Sequence, residues 1–200
     1  DRFVTNGGND RIHSADKGDT IIAGEGHDWV SLDLRFDPAT ETDPAEDITV
    51  NLLDLQSNTA TYYAGTADET QLQGIEQIHL YTGAGNDTFD ARGVASSSDY
   101  FTYSNHFDAG EGDDAYLTDH LSRGTGNFVA GAGYDKLTID WSATANAVEY
   151  QSNSSSTWYR GYVNGWGYIY QYFSDIEEID ITSGSGGDNL RAIGGRDRFV

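Results

Sequence analysis

The chain has no cysteine and no methionine, only two prolines, and 11 basic residues against 33 acidic ones among its 200 residues. Without cysteine nothing staples the fold covalently, no redox compartment is implied, and there is no thiol nucleophile. No stretch approaches the ~20 consecutive apolar residues of a membrane span. The chain opens inside a repeat, without an initiator methionine or signal segment, and is expected to be a piece of a longer protein. The formal charge of −22 makes nucleic acid and anionic membranes poor partners. It also opposes any compact state unless counter-charge is bound, so the composition asks for cations. Acidity with 24 glycines would suit a disordered segment, but 4 tryptophans, 13 tyrosines and 8 phenylalanines supply a core.

What is present is periodic. Asp1, Asp10, Asp19 and Asp28 stand nine residues apart, and each is followed two places later by an apolar residue: Phe3, Ile12, Ile21 and Val30. A short fixed period marks a unit that buries its apolar residue only by stacking on its neighbours. Five stretches share the spelling Gly-x-Gly-x-Asp. They run from Gly24 through Gly26 to Asp28, Gly83 through Gly85 to Asp87, Gly110 through Gly112 to Asp114, Gly131 through Gly133 to Asp135, and Gly184 through Gly186 to Asp188. The apolar residues in phase with them, Val30, Phe89, Tyr116, Leu137 and Leu190, stand where a period-two strand would bury them. Weaker copies end at Asp10, Asp19 and Asp197.

Glycine suits such loops because a chain reversing within about six residues must visit positive φ, and because bare backbone lets carbonyl oxygens converge on one point. The aspartate supplies charge at that point. Carbonyls with carboxylates are hard oxygen ligands that suit several Ca²⁺ ions and offer nothing soft to zinc or copper, while Mg²⁺ prefers to keep its waters. A phosphate cradle is the weaker reading, since no amphipathic helix follows and the surroundings are acidic. The candidate metal residues are therefore Asp10, Asp19, Asp28, Asp87, Asp114, Asp135, Asp188 and Asp197 with the ten loop glycines.

These loops resemble the calcium-binding nonapeptide G-G-x-G-x-D-x-U-x, with U apolar, of the RTX (repeats-in-toxin) family. The resemblance implies an all-β fold: a right-handed parallel β-roll or β-helix in which each repeat gives a calcium loop and a short strand. Successive repeats in that family alternate sides, so loops two repeats apart clamp one ion. Carried onto this chain, the loop of Asp1 would face that of Asp19, and Asp10 would face Asp28. The resemblance also implies type I secretion of an unfolded chain that folds in external calcium. Thr5-Asn6-Gly7-Gly8-Asn9-Asp10 lacks the leading glycine, and Ser14-Ala15-Asp16-Lys17-Gly18-Asp19 lacks most of them.

Ile75-Glu76-Gln77-Ile78 with its following loop matches Ile176-Glu177-Glu178-Ile179 without a gap, so two duplicated blocks, about 1–98 and 99–200, make one elongated module. Each block carries a variable segment of added strands and hairpins, and both Ile-Glu-x-Ile strands are expected to cover the same core face. The closing Asp197-Arg198-Phe199-Val200 restates the opening Asp1-Arg2-Phe3-Val4, giving a unit of 196 residues (197 less 1) for a tandem array.

The acidic excursion from Asp37 to Asp47 reads as a solvated loop. The aromatic run Trp158, Tyr159, Tyr162, Trp166, Tyr168, Tyr170, Tyr172 and Phe173 reads first as core cover, and otherwise as a subunit contact or sugar-stacking platform. The five histidines have no metal-ligand spacing, and no nucleophile motif occurs. Pairs such as Glu177 with Glu178 read as surface carboxylates. The expected function is a non-enzymatic, calcium-dependent structural or self-assembly module of a secreted or cell-surface bacterial protein: a fibre, surface layer or adhesin. Its expected partners are copies of itself or adjacent tandem units, with surface glycans as a further possibility, and neither nucleic acid nor membrane insertion. The alternative is a carbohydrate-binding, substrate-guiding or secretion module attached to a secreted enzyme or toxin.

Overall fold

The computed structural model describes the chain apart from residues 36–45, 56–58, 64, 66, 94–104, 122–124, 153–156, 163–167 and 192–195. It is an all-β chain of mostly parallel sheets. The nine-residue period appears as an alternation between two sheets. Strands β1 (Arg2–Val4) and β3 (Thr20–Ile22) enter a four-stranded sheet, while β2 (Arg11–Asp16) and β4 (Trp29–Asp33) enter a nine-stranded one. Phe3 pairs in register with Ile21, and Ile12 with Val30, so one repeat is half a turn and its apolar residue meets its equivalent 18 residues on.

The chain then opens a six-stranded sheet with β5 (Thr49–Asn51), makes the one-turn helix α1 (Leu52–Leu55), and completes the four-stranded sheet with β6 (Ala60–Tyr62) and β7 (Thr70–Gln73). From β8 (Gln77–Ala84) the alternation resumes through β9 (Thr88–Asp90), β10 (His106–Glu111), β11 (Ala115–Asp119), β12 (Thr125–Ala132) and β13 (Lys136–Asp140). The even-numbered strands of this run lie in the nine-stranded sheet and the odd-numbered in the six-stranded sheet. Strands β14 (Val148–Ser152), β15 (Thr157–Tyr162) and β16 (Tyr168–Ser174) extend the nine-stranded sheet. Strands β17 (Glu178–Thr182) and β19 (Arg196–Phe199) extend the six-stranded sheet, and β18 (Asn189–Arg191) closes the nine-stranded one. Among the described strands the antiparallel pairs are β6 with β7, β14 with β15 and β15 with β16, all inside the two variable segments.

Inward positions alternate with outward ones and form one core cluster. Val30, Phe89, Tyr116 and Leu137 are buried as their phase requires, whereas Leu190 on the edge strand β18 is only partly covered. Parallel strands ~4.8 Å apart bring like side chains into contact. Phe107 accordingly stacks on Phe128 with ring centroids 5.3 Å apart, and Phe89 packs at 5.4 Å from both Phe107 and Tyr116. Burial of such a side chain stabilises by about 1.5–3 kcal/mol.

One expectation is corrected. The two Ile-Glu-x-Ile strands do not cover one face: β8 lies in the nine-stranded sheet and β17 in the six-stranded sheet. An odd number of half-turns separates the copies, so the second meets the core from the opposite side. In the aromatic run, Phe173 is buried at 2% exposure and Tyr172 is 45% exposed. Trp166 and the side chains of residues 157–162 and 168–170 lie outside the described set.

Candidate metal centre

The loops stand at the corners where the chain passes between sheets, and they stack directly on one another. Gly112 has φ +133°, and a Cβ built on it would lie 1.6 Å from the Gly85 carbonyl oxygen; for Gly133 the corresponding distance to Gly112 O is 1.7 Å. Only glycine permits this approach of backbone to backbone. The same relation places Gly110 over Gly83, Gly131 over Gly110, Gly24 over Asn6, Gly26 over Gly8, and Gly85 over Glu46. Gly184 and Gly186 stack instead on Thr144 and Asn146, residues without the motif.

The aspartates form a ladder along these corners. Asp87 donates its main-chain N–H to Asp114 Oδ1 at 2.7 Å, Asp114 donates to Asp135 Oδ1 at 2.8 Å, and Ile48 donates to Asp87 Oδ1 at 2.7 Å. At another corner Asp10 donates to Asp28 Oδ1 at 2.8 Å. The Asp87 and Asp114 carbonyls accept from Ala115 and Lys136, each on the next turn. One carboxylate oxygen thus fastens adjacent turns. The other oxygen of Asp28, Asp87, Asp114 and Asp135, Oδ2, is buried with no hydrogen-bond partner, as is Oδ2 of Asp10. A second ladder runs one residue earlier with the opposite polarity. Asn86 N–H donates to Asp47 Oδ1, Asp113 N–H to Asn86 Oδ1, Tyr134 N–H to Asp113 Oδ1, and His27 N–H to Asn9 Oδ1, at 2.7–3.1 Å.

The remaining candidates behave differently. The Asp1 main-chain nitrogen meets Asp19 Oδ1 at 2.6 Å and Asp16 N–H meets its Oδ2 at 3.1 Å, so Asp19 uses both oxygens within the chain. Asp188 is exposed and accepts from Val148 N–H at 2.9 Å. Asp197 lies on β19, opposite Ile179, with no motif loop before it among the described residues.

Three members of the ladder escape a motif search. Glu76 Oε2 accepts Asp28 N–H at 2.8 Å and Glu177 Oε2 accepts Asp135 N–H at 2.9 Å, so each takes the rung where another aspartate would stand. The duplicated Ile-Glu-x-Ile was the available signal. Glu178, by contrast, pairs at the surface with Lys136 Nζ at 2.7 Å and Tyr134 Oη at 3.0 Å. Asp47 is the third, and with the Glu46 carbonyl it makes the exposed end of the acidic excursion a rung of the stack. Residues 37–45 of that excursion lie outside the described set.

Burial dominates the electrostatics. It pushes the Asp114 carboxyl up to about 7 and Asp135 to about 6, with neighbouring carboxylates adding to the rise. Asp28, Asp87 and Glu76 are raised for the same first reason. Four of the described basic residues pair elsewhere: Arg35 with Asp33, Arg92 with Asp90, Lys136 with Glu178 and Arg198 with Asp180. Among the described residues no three acidic or imidazole side chains converge as a ready metal site. The ladder offers carboxylates singly, one per turn, beside stacked carbonyls. Such a donor set fits a hard cation shared between turns: an orphaned anionic oxygen lacks the partner that a buried charge requires.

Neither a scan against models of protein families nor a search of curated proteins finds a match for this chain. Among the described residues no helix is long and apolar enough to cross a membrane.

Proposed function

We propose that the chain is a calcium-dependent structural module of a secreted or cell-surface bacterial protein, a right-handed parallel β-roll of the RTX kind that folds and stiffens in external calcium. The observation that carries this reading is the set of five buried, unpartnered aspartate oxygens, each on an aspartate at a glycine-stacked corner. A protein that buried such oxygens without a counter-ion would bear a desolvation cost of several kcal/mol per charge. Asp10, Asp28, Asp87, Asp114 and Asp135 are the residues that would hold calcium, with main-chain carbonyls of the stacked loops completing the donor set. Bound calcium supplies counter-charge between turns. Binding energy then becomes folding energy, and a site with the ~10⁻⁴–10⁻³ M affinity of extracellular modules is filled only outside the cell.

The module's role is mechanical, not enzymatic. Its partners are copies of itself or adjacent tandem units: β2 and β18 close the nine-stranded sheet as parallel edges, which another turn can continue. A calcium titration followed by circular dichroism and native mass spectrometry tests the proposal. Strand content should rise cooperatively with bound ions between chelator and millimolar calcium, and equal strand content at both ends of the titration would sink it.

A further inference from the structure

Glu76 and Glu177 stand outside every Gly-x-Gly-x-Asp motif, yet each receives the same hydrogen bond that the next aspartate of the ladder would receive. Asp28 N–H reaches Glu76 Oε2 at 2.8 Å and Asp135 N–H reaches Glu177 Oε2 at 2.9 Å. Strand register agrees: Trp29 pairs with Gln77 and Lys136 with Glu178, so Asp28 lies level with Glu76 and Asp135 with Glu177. The preceding backbone is of another kind. Gly74, with φ +70°, and Ile75 both donate to the Leu55 carbonyl, and Ile75 is fully buried where a motif loop would carry a polar residue. At the second copy Asp175 adopts φ +62° ahead of Ile176.

A buried oxygen without a partner points to a ligand at each of these rungs. Asp28 is 1% exposed and Asp135 0%, and the Oδ2 of each is buried without a partner beside the glutamate. The surrounding charges offer little relief: Glu177, Asp113 and Asp175 act on Asp135, all negative, and His27 is the one basic neighbour acting on Asp28 among Asp10 and Glu76. Lys136, the nearest cation along the chain, is engaged by Glu178 at 2.7 Å.

We infer that Asp28 with Glu76, and Asp135 with Glu177, form two further calcium sites in which a glutamate from the Ile-Glu-x-Ile strand replaces the motif aspartate and continues the metal row past the last glycine loop. This rests on the calcium reading above and extends it to residues that no repeat motif identifies. The longer glutamate arm carries a carboxylate to the rung from a main chain that turns without the two glycines. The duplicated Ile-Glu-x-Ile is then a closing element that lets a calcium stack meet a variable segment without leaving its last aspartate uncompensated.

The test compares Glu76→Gln and Glu177→Gln with the wild type by native mass spectrometry and isothermal calorimetry against Ca²⁺ alone. Glutamine keeps an oxygen to accept the Asp28 or Asp135 N–H and removes only the charge. Each variant should bind one ion fewer at saturation, or bind it at least tenfold more weakly, and the double variant two fewer. Asp54→Asn, on the exposed helix α1, should match the wild type. A merely structural role for the glutamates predicts unchanged ion number and affinity in both variants, and that result overturns the inference. A wild-type chain that takes up no calcium would overturn the underlying reading instead. If one variant fails to fold in calcium, the other decides, because the two sites lie on different sheets.

Discussion

Asp135 accepts the main-chain N–H of Asp114 at 2.8 Å through Oδ1 and keeps Oδ2 buried without a partner. One side chain therefore both ties two turns together and holds an uncompensated charge between them. Replacing that charge without disturbing the tie separates the two roles.

Asp114 plays the same two roles, and Asp114→Asn removes its charge while the amide oxygen still accepts the Asp87 N–H. In chelator at pH 8 the variant should be more stable than the wild type, since a buried charge disappears. In calcium the order should reverse. A site saturated at a hundredfold excess over its Kd contributes about 2.7 kcal/mol, which sets the scale of the loss. Strand content by circular dichroism in chelator and the urea midpoint in calcium measure it, and a change of the same sign in both would contradict the ladder's role.

The calcium-free chain should gain stability on acidification from pH 8 to about 6.5. The Asp114 carboxyl, at about 7, and Asp135, at about 6, lie above their unfolded value of 3.8. The folded form therefore binds protons that the unfolded form does not. This contribution is fully present below 3.8 and lost as pH rises through about 6 and 7. Burial holds His106 below its ordinary 6.5, so it opposes the gain once the pH falls past that point. Strand content in chelator that fails to rise between pH 8 and 6.5 would argue against buried carboxylates, and Asp114→Asn should flatten the rise.

Gly112→Ala should destabilise by more than ~1 kcal/mol, because a methyl at φ +133° would also meet Gly85 O at 1.6 Å. Gly8→Ala, at φ +114° with nothing within 4 Å, carries the strain without the collision. Gly187→Ala meets neither and should be close to neutral. Chemical denaturation in calcium should rank them in that order.

Phe128→Ala should cost about 3–5 kcal/mol, since it removes a fully buried ring stacked at 5.3 Å on Phe107. A deficit that is the same at two calcium concentrations that both keep the chain folded would separate core packing from the carboxylate ladder. A deficit below ~1 kcal/mol would show that the ring stack is not part of the stabilising core.

The apolar phase was legible residue by residue: Val30, Phe89, Tyr116 and Leu137 are buried where a period of two after each aspartate puts them. Regularity of that kind is local and survives in one dimension. Glu76, Glu177 and Asp47 were not legible as rungs, since their neighbours in space lie 48, 42 and 39 residues away across variable segments.

The sequence by itself determined that the chain is built of strands and glycine corners, with one apolar and one acidic residue per repeat, because those properties depend on spacing alone. Only the tertiary structure decided which corner stacks on which. The intervals along the ladder are 27, 21 and 42 residues, so each turn's partner depends on the length of chain inserted between them. It also decided that the second Ile-Glu-x-Ile copy meets the core from the opposite sheet, and that Asp19 uses both of its oxygens within the chain while Asp114 and Asp135 keep one without a partner. Burial and hydrogen bonding are properties of neighbours in space, and the period says only which residues recur.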